Sequence, residues 1–186
     1  FLKSNPLADV DVSSTFGVSA LPTAGSVYAS QMLRTTSAGA FVGPRLRILP
    51  DKSIVTGIRY NAPGGAVTAI GNDATLPFKM SSASTRLVMR SQAEGSTFRQ
   101  KVWQEGTAEP SGWTVVGSSS TLTAPGSVGV WTYLGGGTNA LTVNVDDVEV
   151  KQLEEPNAAP VAAFTTSTSD LTAQFNAGGS SDSDGA

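Results

Sequence analysis

The sequence predicts an all-β chain built as an antiparallel β-sandwich or jelly roll. Three observations carry this. Apolar residues alternate with polar ones at period two in segment after segment. Turn clusters rich in Gly, Pro, Asn and Asp punctuate the chain at roughly 8–12-residue intervals. No stretch carries the 3.6-residue period of an amphipathic helix.

The opening strand is Ala8–Val18, where Val10, Val12, Phe16 and Val18 share one parity and Asp9, Asp11, Ser13 and Thr15 the other. Leu21–Gly25 breaks it. Val27–Arg34 and Phe41–Leu49 follow, then a tight turn at Pro50-Asp51-Lys52. Ser53–Tyr60 has Ile54, Ile58 and Tyr60 in phase and ends at Asn61–Gly65. Ala66–Pro77 is a weaker strand, with Val67, Ala69 and Leu76 expected to point inward. Thr85–Gln92 and Thr97–Trp103 flank Ala93–Ser96 as a hairpin. Gln104–Pro110 is a loop, and Trp113–Val116, Gly126–Leu134 and Leu141–Lys151 complete the set.

The last strand slips phase. Leu141, Val143 and Val145 have one parity, Val148 and Val150 the other, and the slip falls at Asp146-Asp147. A β-bulge there realigns the apolar face. Beyond it, Leu153–Asn157 gathers charge and Pro where periodicity stops, which marks a linker. Val161–Thr165 and Leu171–Asn176 are expected as two further strands.

Composition narrows the function classes. Hydrophobic residues make up 39% of the chain, enough for a core, whereas charged residues are only 15%, below the roughly 25% of a typical soluble domain. Ser, Thr and Gly take their place, as on extracellular β-proteins. The net charge is −3 with scattered basic residues, which gives no footprint for nucleic acid. The absence of Cys and His excludes disulfides, thiolate or imidazole metal sites and Ser-His-Asp chemistry. No apolar run is long enough to span a membrane as a helix.

Two passages, Lys101–Trp113 (KVWQEGTAEPSGW) and Val145–Val150 (VDDVEV), together with the DVDV opening and the RLRILPDKSI hairpin, resemble a laminin-G/concanavalin-like sandwich module. APVAAF and LTAQFNAGGSSDSDG resemble the first third of a PKD domain. The resemblance implies a sandwich over 1–152, a linker over 153–159 and a partial PKD-like domain over 160–186. It implies secreted actinobacterial proteins or minor tail proteins of their phages as the setting, hence an extracellular, cell-surface or virion location. Members of that kind carry further strands before this point. Phe1–Pro6 therefore reads as the end of a missing strand, and Val10–Val18 as an open sheet edge.

Several side chains are candidate ligand contacts. Trp103 and Trp113 bracket a loop carrying Glu105 and Glu109; indole faces suit the C–H faces of sugars and carboxylates accept from hydroxyls. The alternative is that both Trp pin the loop to the core. Trp131 and Tyr133 lie two residues apart on one strand face, ~6.5–7 Å along it. They form a groove if that face is outward and core if it is inward, and Val128 and Val130 fill the opposite parity. Arg45 and Arg47 share a face, as do Arg86 and Arg90; pairing with acids across strands and an anionic-glycan groove are the two readings of such arginines.

Asp146, Asp147 and Glu149 form the best carboxylate cluster, to which Asp9 and Asp11 add ligands if the first and last strands pair. Asp182 and Asp184 in SSDSDG resemble a calcium-type turn. Calcium is thus the one cofactor considered, against a plainly charged, solvated edge. Catalysis is not expected, because concanavalin-like glycosidases carry an E-x-D-x-x-E strand that DDVE does not match. The expected function is non-catalytic recognition of a bacterial surface glycan or other cell-surface ligand, displayed through a PKD-type spacer. The alternative is a structural tail or fibre part that contacts only neighbouring copies or other subunits.

Overall fold

The computed structural model describes residues 3–153 and 160–181. The chain divides into two compact units, Phe1–Leu153 and Glu154–Ala186. Among its described residues the first unit holds eleven strands: β1 Lys3–Leu7, β2 Val10–Val18, β3 Val27–Thr35, β4 Phe41–Ile48, β5 Ser53–Asn61, β6 Val67–Lys79, β7 Leu87–Glu94, β8 Thr97–Gln104, β9 Val115–Ser118, β10 Gly126–Leu134 and β11 Val143–Gln152. They form a six-stranded sheet in the order β1-β10-β3-β4-β5-β6 and a five-stranded sheet in the order β11-β2-β7-β8-β9. Every pairing is antiparallel. The all-β sandwich read from the sequence is the observed architecture.

The core lies between the sheets. From the six-stranded sheet come Val27, Ala29, Leu33, Leu46, Ile48, Ile54, Ile58 and Val128; from the other come Val10, Val12, Phe16, Leu87, Met89, Phe98 and Val102, all essentially without solvent contact. Burying each large side chain of this kind contributes about 1.5–3 kcal/mol. Because successive side chains alternate between faces, fixing these residues inward aims Tyr28, Ser30, Arg45, Arg47, Gly57 and Arg59 outward.

The phase slip in the last strand is resolved as expected. Asp146 pairs with Thr15 and Glu149 with Ser13, so the register shifts between them, and Asp147 takes the left-handed conformation at φ 50°. The bulge puts Val143, Val145 and Val150 against the core. It also places Asp146 and Glu149, rather than Asp147 and Glu149, on one face.

Three expectations are corrected. Val10–Val18 is not an open edge: β2 is flanked by β11 and β7. Val67 and Ala69 are exposed, and Ile70 and Leu76 are the residues of β6 that reach the core. The re-aiming follows from a register irregularity in the β5–β6 pair and from Gly71, at φ 76°, where a side chain would strike the Val116 carbonyl of β9. In the second unit the strands are β12 Thr165–Ser169 and β13 Thr172–Asn176, later than the expected Val161–Thr165. Asp170, at φ 54°, supplies the left-handed turn residue between them. This hairpin buries none of its own described side chains.

Candidate functional site

The outward face of the six-stranded sheet presents ordered rows of side chains. One row crosses four strands as Trp131, Ser30, Arg45 and Gly57; the next runs Tyr133, Tyr28, Arg47 and Val55. Below them Gly43 pairs with Arg59 and Phe41 with Asn61. Neighbouring strands sit about 4.8 Å apart, so each row is a continuous surface.

Trp131 and Tyr133 point to solvent, with 39% and 51% of their surface exposed. The sequence left their face open because Val128 and Val130 are also apolar; the structure turns Val128 and Val130 to the core and the aromatic pair outward. Their rings are parallel to within 6°, with centroids 5.7 Å apart. Tyr28, on the adjacent strand, meets Tyr133 at the same centroid distance, tilted by 53°. Three aromatic rings thus form one patch across β3 and β10.

Arginines border this patch. The guanidinium carbons of Arg45 and Arg47 lie 5.6 and 6.0 Å from the Tyr28 ring centre, a stacking that costs none of their in-plane N–H donors. Arg59 is neutralised by Asp73 at 2.5 Å, which lies over Gly57, where any side chain would collide with it. Burial, and next the repulsion of Arg59, lowers the Arg45 pKa from its ordinary value. Between Trp131 and Arg45 the surface dips into a hollow of about 380 Å³, floored by Ser30 and Gly43 and walled by Phe41 and Asn61. The missing side chain at Gly43 creates the dip: a Cβ there would press on Ser30 Oγ and the Phe41 ring.

The other sequence-selected residues lie on the five-stranded sheet, apart from this patch. Trp113 sits over two cations, 4.9 Å from Lys101 Nζ and 5.9 Å from the Arg90 guanidinium. Glu109 accepts from Arg90 at 2.7 Å and is 2.6 Å from Lys101 Nζ. Those donors, Lys101 first, hold its pKa below the usual value. Lys101 Nζ also donates to the Pro110 carbonyl at 2.8 Å. Lys101, Arg90, Trp113 and Glu109 therefore clasp the 104–114 loop onto the sheet. Trp103 pairs with Val88 and lines a separate hollow with Phe78 and Pro110.

Arg86 gathers the acids near the last strand. It lies 3.2 Å from Glu105, 2.9 Å from Asp146 and 3.9 Å from Asp147. Asp146, first of all, raises the Arg86 pKa. Glu149 pairs with Lys151 at 3.0 Å. β2 and β11 do pair, yet Asp9 is engaged by Arg34 at 2.9 Å and Asp11 by Arg90 at 2.7 Å. Among the described residues no group of three or more acids is arranged to hold a metal ion. Asp182 and Asp184 lie outside the described residues.

No protein-family model matches this chain, and no curated protein matches it. Solved structures do share its fold. The CBM2 module of the evolved Dit protein of Lactobacillus casei BL23 phage J-1 aligns at 12% identity and TM-score 0.55, covering 77% of this chain and 61% of that one. The xylan β-1,4-xylosidase of Bacillus halodurans C-125 aligns at 16% identity and TM-score 0.52, covering 78% of this chain but 28% of the enzyme. A tetrameric galectin from the ball sponge Cinachyrella sp. aligns at 14% identity and TM-score 0.50, covering 79% and 94%. At these identities the likeness is one of fold: this chain is similar to the β-sandwich shared by a phage CBM2 module, a galectin and part of a xylosidase.

Proposed function

We propose that the chain is a non-catalytic glycan-recognition module, and that the ligand lies on the outward face of the six-stranded sheet across Trp131, Tyr133 and Tyr28. One observation carries the reading: two large aromatic rings stand exposed on one strand, parallel and stacked with centroids 5.7 Å apart. Exposed aromatics are costly to hydrate, and a flat aromatic surface matches the C–H face of a pyranose. Strands hold such a platform more exactly in place than a loop does. Asn61 and Ser30 supply neutral polar groups at the hollow beside it. Neighbours in fold that are named as a carbohydrate-binding module and a galectin favour the same reading.

The xylosidase likeness covers a small part of that enzyme, and among the described residues the face proposed here holds one carboxylate, Asp73, already bound by Arg59. A glycosidase needs two carboxyls flanking the scissile bond. The proposed setting is a secreted, cell-surface or virion protein in which the C-terminal segment is PKD-like. Weak single-site binding would suffice there, since many copies gain avidity.

The test is a glycan-array and whole-cell binding screen of the full chain, with Trp131→Ala and Trp113→Ala checked for native near-UV circular dichroism. Saturable binding lost in folded Trp131→Ala and retained in Trp113→Ala is the expected result. Absence of binding to every glycan and cell, with self-association instead, would overturn the reading in favour of a structural assembly part.

A further inference from the structure

The charge on the aromatic face is out of keeping with the rest of the molecule. The chain as a whole carries −3. On the strip formed by β3, β4, β5, β6 and β10 beside the aromatic rings stand Arg45, Arg47 and Arg59 against the single acid Asp73. Three positive charges less one negative leave two unneutralised. Arg59 has its partner. Elsewhere in the sandwich Arg34, Arg86, Arg90 and Arg99 each hold a carboxylate within 3.2 Å. Arg45 and Arg47 hold none among the described residues, and Arg47 Nε is buried without a hydrogen-bond partner.

Two half-buried guanidiniums with no carboxylate in contact carry a desolvation cost that a protein ordinarily offsets with a local acid; Asp73 attracts Arg45 only across space, its carboxylate being held by Arg59. Gly57, opposite Arg45, leaves its space to the Asp73 carboxylate. The other sides stay open: Gly43 precedes Arg45 on the same face, and Ser30 separates it from Trp131. Tyr28 holds both guanidiniums by their faces. A stacked guanidinium still offers its in-plane N–H groups, which match a charged oxygen group in a paired geometry. The arrangement is a preorganised anion receptor sharing a floor with an aromatic platform.

Building on the glycan reading above, we infer that the ligand is an anionic saccharide: one ring lies on Trp131 and Tyr133, and its carboxylate or phosphodiester oxygens are taken by Arg45 and Arg47. The carboxylate of a uronic acid and the phosphodiester of a phosphate-linked wall polymer are two sources of the same charged-oxygen chemistry. Selectivity for charge resides in the arginines, and the rings contribute to binding whatever the charge.

The test titrates the full chain, by calorimetry at about physiological ionic strength, where exposed charges more than ~8 Å apart are screened, with three probes. These are an oligogalacturonate, a phosphodiester-linked galactose oligomer and the neutral galactose oligomer of matching length. The variants are Arg45→Gln with Arg47→Gln, Arg45→Lys, Trp131→Ala and, as a control on the opposite sheet, Arg99→Gln. The expected result is that at least one anionic probe binds about tenfold more tightly than the neutral one, the size of one charge-assisted contact. The double Gln variant should erase that difference and leave neutral binding in place, with Arg45→Lys intermediate and Arg99→Gln unchanged. Whichever anionic probe is preferred identifies the source. Equal binding of charged and neutral probes, or a preference that survives the double Gln variant, overturns the inference while the aromatic platform stands. A preference lost in the arginine variants but untouched by Trp131→Ala upholds the anion receptor and overturns the platform. Binding of none of the probes, with the array also negative, overturns both.

Discussion

Arg34 and Asp9 form a 2.9 Å ion pair in which the arginine side chain has no solvent contact. Arg34 Nε also donates to the Ala8 carbonyl at 2.6 Å and Nη1 to the Leu122 carbonyl at 2.9 Å, and the guanidinium lies 5.1 Å from the Phe98 ring centre. One residue at the end of β3 thus ties together the turn before β2, the β9–β10 connection and a ring of the opposite sheet. Burial lowers its pKa and Asp9 opposes that. Removing one partner of such a buried network leaves the others unpaired, at a cost of about 3–5 kcal/mol. Arg34→Ala should lose about that much in urea unfolding. Asp9→Asn should lose less, because the Asp9 carboxylate is partly exposed and an amide oxygen can still accept from Gly95 N–H, now 2.8 Å away.

Gly126 sits against the backbone of Arg34, where an added Cβ would come within 2.4 Å of the Arg34 carbonyl carbon. Backbone cannot rotate aside, so Gly126→Ala must shift the β10–β3 pair. Overpacking of this kind costs about 1–3 kcal/mol or more. Gly112, with nothing within 4 Å of its added Cβ, is the matched control. Urea midpoints of Gly126→Ala and Gly112→Ala should differ accordingly, the second staying near the parent.

Arg86 occupies the place where a cation would otherwise sit among Glu105, Asp146 and Asp147. Thermal melts of the parent should therefore be indifferent to calcium at this cluster. Arg86→Gln removes the positive charge and leaves three oxygen donors side by side, the beginning of a calcium site. That variant should melt lower without calcium and recover with it. A ligand present at a hundred times its dissociation constant stabilises by about 2.7 kcal/mol. A calcium-independent melt in Arg86→Gln would mean the acids repel one another apart instead.

Asp51 caps the β4–β5 turn. Its carboxylate accepts from the Ser53 hydroxyl at 2.7 Å and backbone N–H at 3.0 Å, and from Lys79 at 3.2 Å. The Ser53 contacts, more than Lys79, lower its pKa to about 2. A carboxylate whose pKa is depressed on folding adds stability above its ordinary value near 4, and loses it as pH falls toward the folded value. The stability of the parent should thus decline between about pH 4 and pH 2 through this group. Asp51→Asn should flatten that part of the pH profile, read from urea midpoints at stepped pH.

Much of the sandwich was legible because its strands keep strict alternation: Val10, Val12, Phe16 and Val18 are all core. Even the irregularity at Asp146-Asp147 announced itself as a parity slip. Legibility failed where both parities carry apolar residues or where backbone re-aims a strand. GSVGVWTYL offers Val128 and Val130 on one parity and Trp131 and Tyr133 on the other, and only the neighbouring strands decide which is inward. Gly71 reverses Val67 and Ala69 by an irregularity that the sequence marks with a single glycine. For the candidate site, Trp131 and Tyr133 could be named, and Arg45 and Arg47 noted as co-facial. Their convergence on Tyr28, and their lack of an acid, depends on the β3–β4 register. Glu105 and Glu109 looked free beside two tryptophans because Arg86 and Arg90 reach them from the neighbouring β7 hairpin arm and Lys101 only through the fold-back of the loop after β8.

The charge balance on the aromatic face yields a prediction of opposite sign to every loss above. Among the described residues Asp73 is the one acid there, and it holds Arg59 at 2.5 Å, the arginine mostly buried and the carboxylate partly exposed. An amide oxygen can still accept from Arg59, so Asp73→Asn should fold with a modest loss in its urea midpoint. It would also leave unneutralised the charge of Arg59, whose strand partner is Gly43, the floor of the hollow. Three guanidiniums would then face an anionic saccharide where two do now. Affinity for the preferred anionic probe should rise several-fold at low ionic strength, with a steeper fall on adding salt, because exposed charges are screened over ~10 Å at 0.1 M. Neutral-probe affinity should stay put. An Asp73→Asn variant with unchanged or weaker anionic binding would indicate that Arg59 does not reach the ligand even when released from Asp73.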